Sequence, residues 1–190
     1  MDDAGRSIKK LSTREVYRNK WMSLREDAIL RSNGEQGIYA VMDKEPAAII
    51  IPLERTASGE EFLHLVEQYR YTVDGRFMEF PQGGWELADI DPEELARGEL
   101  AEETGLRASR MTKLGSLWIA YGAMHQIHHV FLAEELMPGE TDPDSEEHDL
   151  TLHRVSVVDF EQMLLDGRVM DNCSAAAWGL YLVWKRQQKN

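Results

Sequence analysis

The chain contains a single cysteine, Cys173, in 190 residues. No intrachain disulfide can form, which excludes a disulfide-stapled secreted scaffold and points to a reducing compartment. Positive charge is also scarce: 21 Lys and Arg face 34 Asp and Glu, for a formal net charge of -13. Affinity for a nucleic-acid backbone rests on Lys and Arg neutralising phosphates, so nucleic acid is excluded as the main partner. No run of about 18 apolar residues occurs, which argues against a transmembrane helix. The opening MDDAGRSIKKLSTREVYRNKW has no apolar signal core. Together these absences predict a cytoplasmic protein with no membrane partner. What remains is 43% hydrophobic, enough for one well-buried core with a small appendage.

The most informative stretch is residues 83–106, GGWELADIDPEELARGELAEETGL. Its end is punctuated as a helix over 92–104: Asp91 as N-cap, Pro92 first, Glu94 at the capping-box position and Gly105 as a left-handed stop. Spacings of three and four residues then bring Glu99, Glu102 and Glu103 together on the helix surface. At about 6 Å and an effective dielectric near 20, each pair of carboxylates repels by about 3 kcal/mol unless water or a cation intervenes. The last turn adds a dipole penalty of about 0.3–1 kcal/mol. Such a face is either solvated or a cation site. A predicted strand over 77–81 and the Gly83-Gly84 turn precede the helix, the layout of a phosphate loop, yet no G-x-x-x-x-G-K-[ST] or G-x-G-x-x-G is present. Phosphate would therefore have to be held through metal.

Elsewhere, residues 1–10 are polar and read as a mobile tail, and 15–31 alternates as two strands around a turn near Asn19. Further strands are predicted over 38–42, 47–53, 62–70, 114–121, 127–134 and 150–158, with helices over 159–165 and 174–185. This order predicts an α+β fold with a layered core and a separate antiparallel strand module at the N-terminus, divided as 1–45 and 46–190.

Gly84, Glu99, Leu100, Glu102, Glu103, Gly105 and Leu106 match, in register, the Nudix box, G, five residues, E, seven residues, R-E-U-x-E-E-x-G-U with U aliphatic. The departures are Ile90 in place of glutamate and Gly98 in place of the arginine that orients the glutamates, for which Arg97 is a partial substitute. Val66-Glu67-Gln68-Tyr69-Arg70 and Met78-Glu79-Phe80-Pro81-Gln82-Gly83-Gly84 are similar to the V-x-Q-Y-R and E-x-P-x-G segments of ADP-ribose pyrophosphatases. The chain thus resembles the Nudix hydrolases, and within them the ADP-ribose pyrophosphatases.

The resemblance implies an α/β/α sandwich with a mixed sheet, and an N-terminal strand module exchanged across a homodimer. It implies Glu99 and Glu103 as principal metal ligands, Glu102 as a ligand or water-holder, and the Gln82 carbonyl completing the shell. Hard oxygen donors and substrate phosphates make Mg2+ the default, with Mn2+ fitting the same site. Glu102 and Glu103 are the catalytic candidates in the helix. The general base would come from the acidic loop PGETDPDSEEHD, residues 138–149, as Glu146 or Glu147 with Glu140 behind them, although a solvated acidic loop explains the same composition. Arg70, Glu79 and Gly84 are substrate-binding candidates; a structural ion pair explains the first two equally well. Trp21, Tyr39, Tyr69 and Tyr71 can stack a base, yet aromatics on strand patterns more often fill the core. His128 and His129 fall on opposite strand faces with no cysteine pair or H-x-x-x-H, so a zinc centre is not indicated.

The implied function is metal-dependent hydrolysis of a nucleoside diphosphate linked to another group, ADP-ribose to AMP and ribose 5-phosphate. Tyr121-Gly122-Ala123-Met124-His125-Gln126 replaces a serine-proline-glycine loop common in these enzymes, which leaves the base and sugar open. Another nucleotide sugar or a dinucleotide is the enzymatic alternative. A catalytically weak ligand-binding module is the non-enzymatic one.

Overall fold

A computed structural model describes residues 7–84, 90–139 and 149–188. The elements are β1 (Ile8–Arg18), β2 (Ser23–Arg31), β3 (Gln36–Asp43), β4 (Ala47–Arg55), β5 (Glu61–Arg70), a 3-10 turn (Tyr71–Val73), β6 (Gly75–Glu79), β7 (Gln82–Gly83), α1 (Pro92–Thr104), β8 (Leu106–Trp118), β9 (Met124–His125), β10 (Ile127–Pro138), β11 (Thr151–Ser156), α2 (Val157–Asp166) and α3 (Asn172–Gln187). They fall into two compact units. Among the described residues, no helix is long and apolar enough to cross a membrane.

One unit comprises the chain up to Pro46 together with Trp118–Ile127. Its sheet runs β1-β2-β3-β9, with β2 antiparallel to both neighbours and β9 parallel to β3. Asn19 makes the first turn by accepting from the N–H groups of Trp21 and Met22, both at 2.9 Å. The tail expected over 1–10 is corrected for 8–10, because Ile8, Lys9 and Lys10 pair with Arg31, Leu30 and Ile29; residues 1–6 lie outside the described residues. Backbone pairing at a sheet edge needs no apolar side chains, so charged edge residues hide such a strand from periodicity. Every residue of β1 is exposed. Trp21, Tyr39, Tyr69 and Tyr71 also stand exposed, against the expectation that strand aromatics fill the core.

The other unit, Ala47–Leu117 and the chain from His128, holds the sheet β11-β5-β4-β10-β8, with β6 paired to β5 and β7 to β4. The sheet is mixed: β4 is parallel to β10 and antiparallel to β5. Central strand β4 is buried from Ala47 to Leu53, and its period of two sends alternate residues to two cores. Ala48 and Ile50 meet Leu95, Ala96 and Leu100 of α1, with Phe131 of β10. Ile49, Ile51 and Leu53 meet Phe160 and Met163 of α2 and Ala177, Trp178 and Tyr181 of α3. This is the expected α/β/α sandwich. Burying Leu95 and Leu100 stabilises α1 by about 1.5–3 kcal/mol each, which outweighs the dipole penalty on its terminal glutamates.

Strand β6 stops at Glu79 rather than 81, since Phe80 gives its N–H to a side chain and Pro81 has none to give. Strand β8 begins at Leu106, well before 114, directly after the helix stop, because exposed polar residues break its alternation.

Candidate active site

Helix α1 spans the predicted residues, with Asp91 as its N-cap and Gly105 as its left-handed stop. The Asp91 carboxylate accepts from the N–H groups of Glu93 at 2.9 Å and Glu94 at 3.2 Å. Gly105, at φ +66°, gives its N–H to the Ala101 carbonyl at 2.9 Å. The apolar residues that seat α1 on β4 turn Glu99 and Glu103, one helical turn apart, inward as well; both are only 6% exposed. Glu102, on the neighbouring row, is half-buried.

Glu103 Oε2 accepts the Gln82 N–H at 3.0 Å. The Glu99 carboxylate lies over Gly83, where a Cβ would come 2.4 Å from Oε2. Strand β7, held by pairing of Gln82 with Ile49 and Gly83 with Ala48, is thus the platform for both carboxylates. Gly84 follows it, exposed. Arg97 does not turn to the glutamates. Its Nη2 binds Glu93 at 2.8 Å and its Nη1 donates to the Ala108 carbonyl at 2.8 Å, tying α1 to β8.

Beside the platform, Glu79 is buried at 3% exposure under Arg70. Arg70 Nε donates to it at 3.1 Å, its Nη2 makes a second bond, and Gln68 Nε2 adds a third at 3.0 Å. Burial pushes the Glu79 carboxyl up from its ordinary value, Arg70 opposes this, and the charge of Asp171 adds to it. Burial opposes the charge of Arg70, but bonding to Glu79 and the fields of Glu79, Glu103 and Asp171 raise its pKa on balance. The two sequence segments therefore meet electrostatically.

Asp171, the N-cap of α3, reaches the same place. Its Oδ2 accepts from Gln82 Nε2 at 3.0 Å, Ser174 N at 2.8 Å and Ser174 Oγ at 2.7 Å. Ser174 Oγ in turn accepts the Phe80 N–H at 2.8 Å. Burial, with Asp171 and Glu79 nearby, pushes the adjacent Cys173 thiol up to about 12, so it is no nucleophile.

A sequence profile described as the NUDIX domain matches residues 43–175, and one described as the nucleoside diphosphate sugar hydrolase N-terminal domain matches residues 8–42. The chain belongs to the Nudix family of pyrophosphohydrolases. An ADP-ribose pyrophosphatase of Bacillus subtilis (strain 168) is 31% identical over 128 residues, covering 67% of this chain and 66% of that protein. An ADP-ribose pyrophosphatase of Mycobacterium tuberculosis (strain ATCC 25618 / H37Rv) is 26% identical over 174 residues, 91% and 82% of the two chains. A crystal structure of an ADP compounds hydrolase shares the fold, with a TM-score of 0.80 at 22% identity over 96% of each chain.

Nudix hydrolases generally use divalent metals. Among the described residues, no group of three or more His, Cys, Asp or Glu side chains is arranged to hold a metal ion. The donor chemistry still fits a hard divalent ion. Two carboxylates are buried one turn apart, and the bare Cα of Gly83 leaves room that a side chain would fill. Mg2+ keeps several waters and takes one or two carboxylates plus substrate phosphates, so it needs no closed protein cage.

Sequence reasoning centred on Gly84 and passed over Gly83, Gln68, Asp171 and Ser174. The signal for the last two was a cap, Asp followed three residues later by Ser, ahead of an apolar helix. The candidates Glu140, Glu146 and Glu147 lie outside the described residues.

Proposed function

We propose that this Nudix hydrolase cleaves the diphosphate of a nucleoside diphosphate linked to another group, with ADP-ribose as substrate and AMP and ribose 5-phosphate as products. The observation that carries the reading is the buried pair Glu99 and Glu103 set against Gln82 and Gly83, beside Arg70 and Glu79. Two relatives that are ADP-ribose pyrophosphatases support the choice of substrate.

In this reading Glu99 and Glu103, with Glu102 and the Gln82 carbonyl, hold Mg2+ or Mn2+. Bound ions of this kind neutralise the diphosphate and lower the pKa of an attacking water. Glu103 is oriented for the task by the Gln82 N–H. Arg70, anchored by Glu79 and still partly exposed, binds phosphate oxygens, and Gly84 lets the substrate approach the backbone. Glu146 or Glu147 removes the proton from water, with Glu140 behind them.

The N-terminal module, 1–45, serves as the contact to a second copy of this chain. Strand β1 exposes Ile8, Leu11, Val16 and Tyr17 in the first unit, apolar surface that a homodimer would cover. Light scattering that finds only monomer at assay concentration removes this part of the reading.

The test is release of AMP from ADP-ribose with Mg2+, run beside other nucleotide sugars and dinucleotides. Glu103→Gln should lower kcat by about 100-fold or more with an unchanged circular dichroism spectrum. Preference for another panel member moves the substrate assignment. Binding without turnover of any member favours the ligand-binding module, the reading to which Gly98 in place of the arginine gives weight.

A further inference from the structure

We infer that Asp171 is a positioning residue for the catalytic platform: it fixes Gln82, and through the Gln82 N–H it fixes the carboxylate of Glu103. The inference rests on the proposed diphosphatase reading for its activity readout. Residues 80–81 link β6 to β7, and both of them and Gln82, which opens β7, are tied down. Phe80 N–H goes to Ser174 Oγ, the Pro81 carbonyl accepts from Ile50 N at 2.9 Å, and Gln82 Nε2 goes to Asp171 Oδ2. Two of the three ties end on the Asp171 and Ser174 pair, joined to each other at 2.7 Å. The backbone N–H leaving this link is the one that Glu103 accepts.

A plain helix cap does not account for Asp171. Capping needs one short oxygen bonded to the N–H of the second or third residue, which serine supplies as well as aspartate. Asp171 has that bond, and its Oδ2 takes two further side-chain donors, one of them 89 residues away in sequence. The carboxylate is thus shaped for Gln82 and Ser174 together. Its hydrogen bonds go to Gln82, Cys173 and Ser174, so its role is to act through another residue.

The experiment compares the full-length wild type with Asp171→Ser, Asp171→Asn, Gln82→Ala and the double variant Asp171→Ser/Gln82→Ala. Readouts are kcat and KM for ADP-ribose with Mg2+, Mn2+ affinity by electron paramagnetic resonance, and Tm. Serine keeps the cap oxygen but is too short for Gln82. Asp171→Ser should therefore lower kcat and Mn2+ affinity by about 10-fold, with little change in KM or Tm. Asparagine can still offer an oxygen to Gln82 and should remain within about threefold of wild type. Gln82→Ala keeps its backbone groups, and in that background Asp171→Ser should change kcat by less than about twofold.

Equal losses from Asp171→Ser with and without the Gln82 side chain overturn the inference, as does an unaffected Asp171→Ser enzyme or an Asp171→Asn enzyme as poor as the serine variant. If wild type turns over no member of the substrate panel, the functional reading falls by itself, and Mn2+ affinity across the five proteins decides Asp171. A wild type that also binds no Mn2+ overturns both.

Discussion

The Cα of Gly83 packs against the Glu99 carboxylate so closely that an added Cβ would lie 2.4 Å from Oε2 and 2.6 Å from Oε1. The clash would be with the end of a flexible side chain, so Gly83→Ala should displace Glu99 and leave the fold in place. The expected result is a Tm within a few degrees of wild type and kcat lowered by about 10–100-fold, with weaker Mn2+ binding. Full activity in Gly83→Ala would remove Glu99 from the site.

The general base is sought by assaying Glu146→Gln and Glu147→Gln separately, with Glu140→Gln as the third variant. One of the first two should lower kcat by about 100-fold or more, most severely where wild-type turnover is fastest. Normal turnover in both leaves a solvated acidic loop as the better account of residues 138–149.

On the face of β5 opposite Leu63 and Leu65, His64 predicts a pH-dependence of stability. Burial holds its imidazole below the ordinary 6.5, although Glu54 lies 3.0 Å from Nε2, and its Nδ1 is buried without a hydrogen-bond partner. The unfolded chain binds this proton more readily than the folded one. Its contribution to stability is present above pH 6.5 and is lost as pH falls below that value. Glu54, held down to about 2 by hydrogen bonds from Arg154 and then His64, gives stability that is lost only between its ordinary 4.5 and about 2. Tm of wild type should fall between pH 7 and pH 5 more steeply than that of His64→Gln, a window that opens just above the unfolded histidine's ordinary 6.5 and extends below it. Parallel Tm profiles would show that His64 does not drive the slope.

Cys173 should react slowly with iodoacetamide at pH 8, since burial raises its thiol to about 12. Denaturant should speed the reaction by about 10-fold or more as the thiol regains its ordinary acidity. Equal rates in folded and unfolded protein would contradict the burial.

Helix α1 was legible in the sequence because caps are local chemistry: Asp91, Pro92 and Gly105 act within one turn of their own residues. Strand β4 was legible because burial on both faces leaves an unbroken apolar run. The start of β1 at Ile8 and of β8 at Leu106 was not, because edge pairing and half-exposed strands are set by backbone partners rather than side-chain period. The surface position of Trp21 and Tyr71 was hidden because both fall just past the strands, Trp21 in the turn after β1 and Tyr71 in the 3-10 turn after β5.

The sequence by itself determined the three glutamates, their spacing and the helix that carries them, since each depends on residues within a turn or two. It also carried the family, through seven box positions in register. Tertiary structure alone decided what the carboxylates rest on. The contacts of Glu99 with Gly83, of Glu103 with the Gln82 N–H and of Gln82 with Asp171 join strand β7 to two helices on opposite faces of the sheet. No spacing rule spans such separations; they exist only once β4 has brought both layers onto one strand.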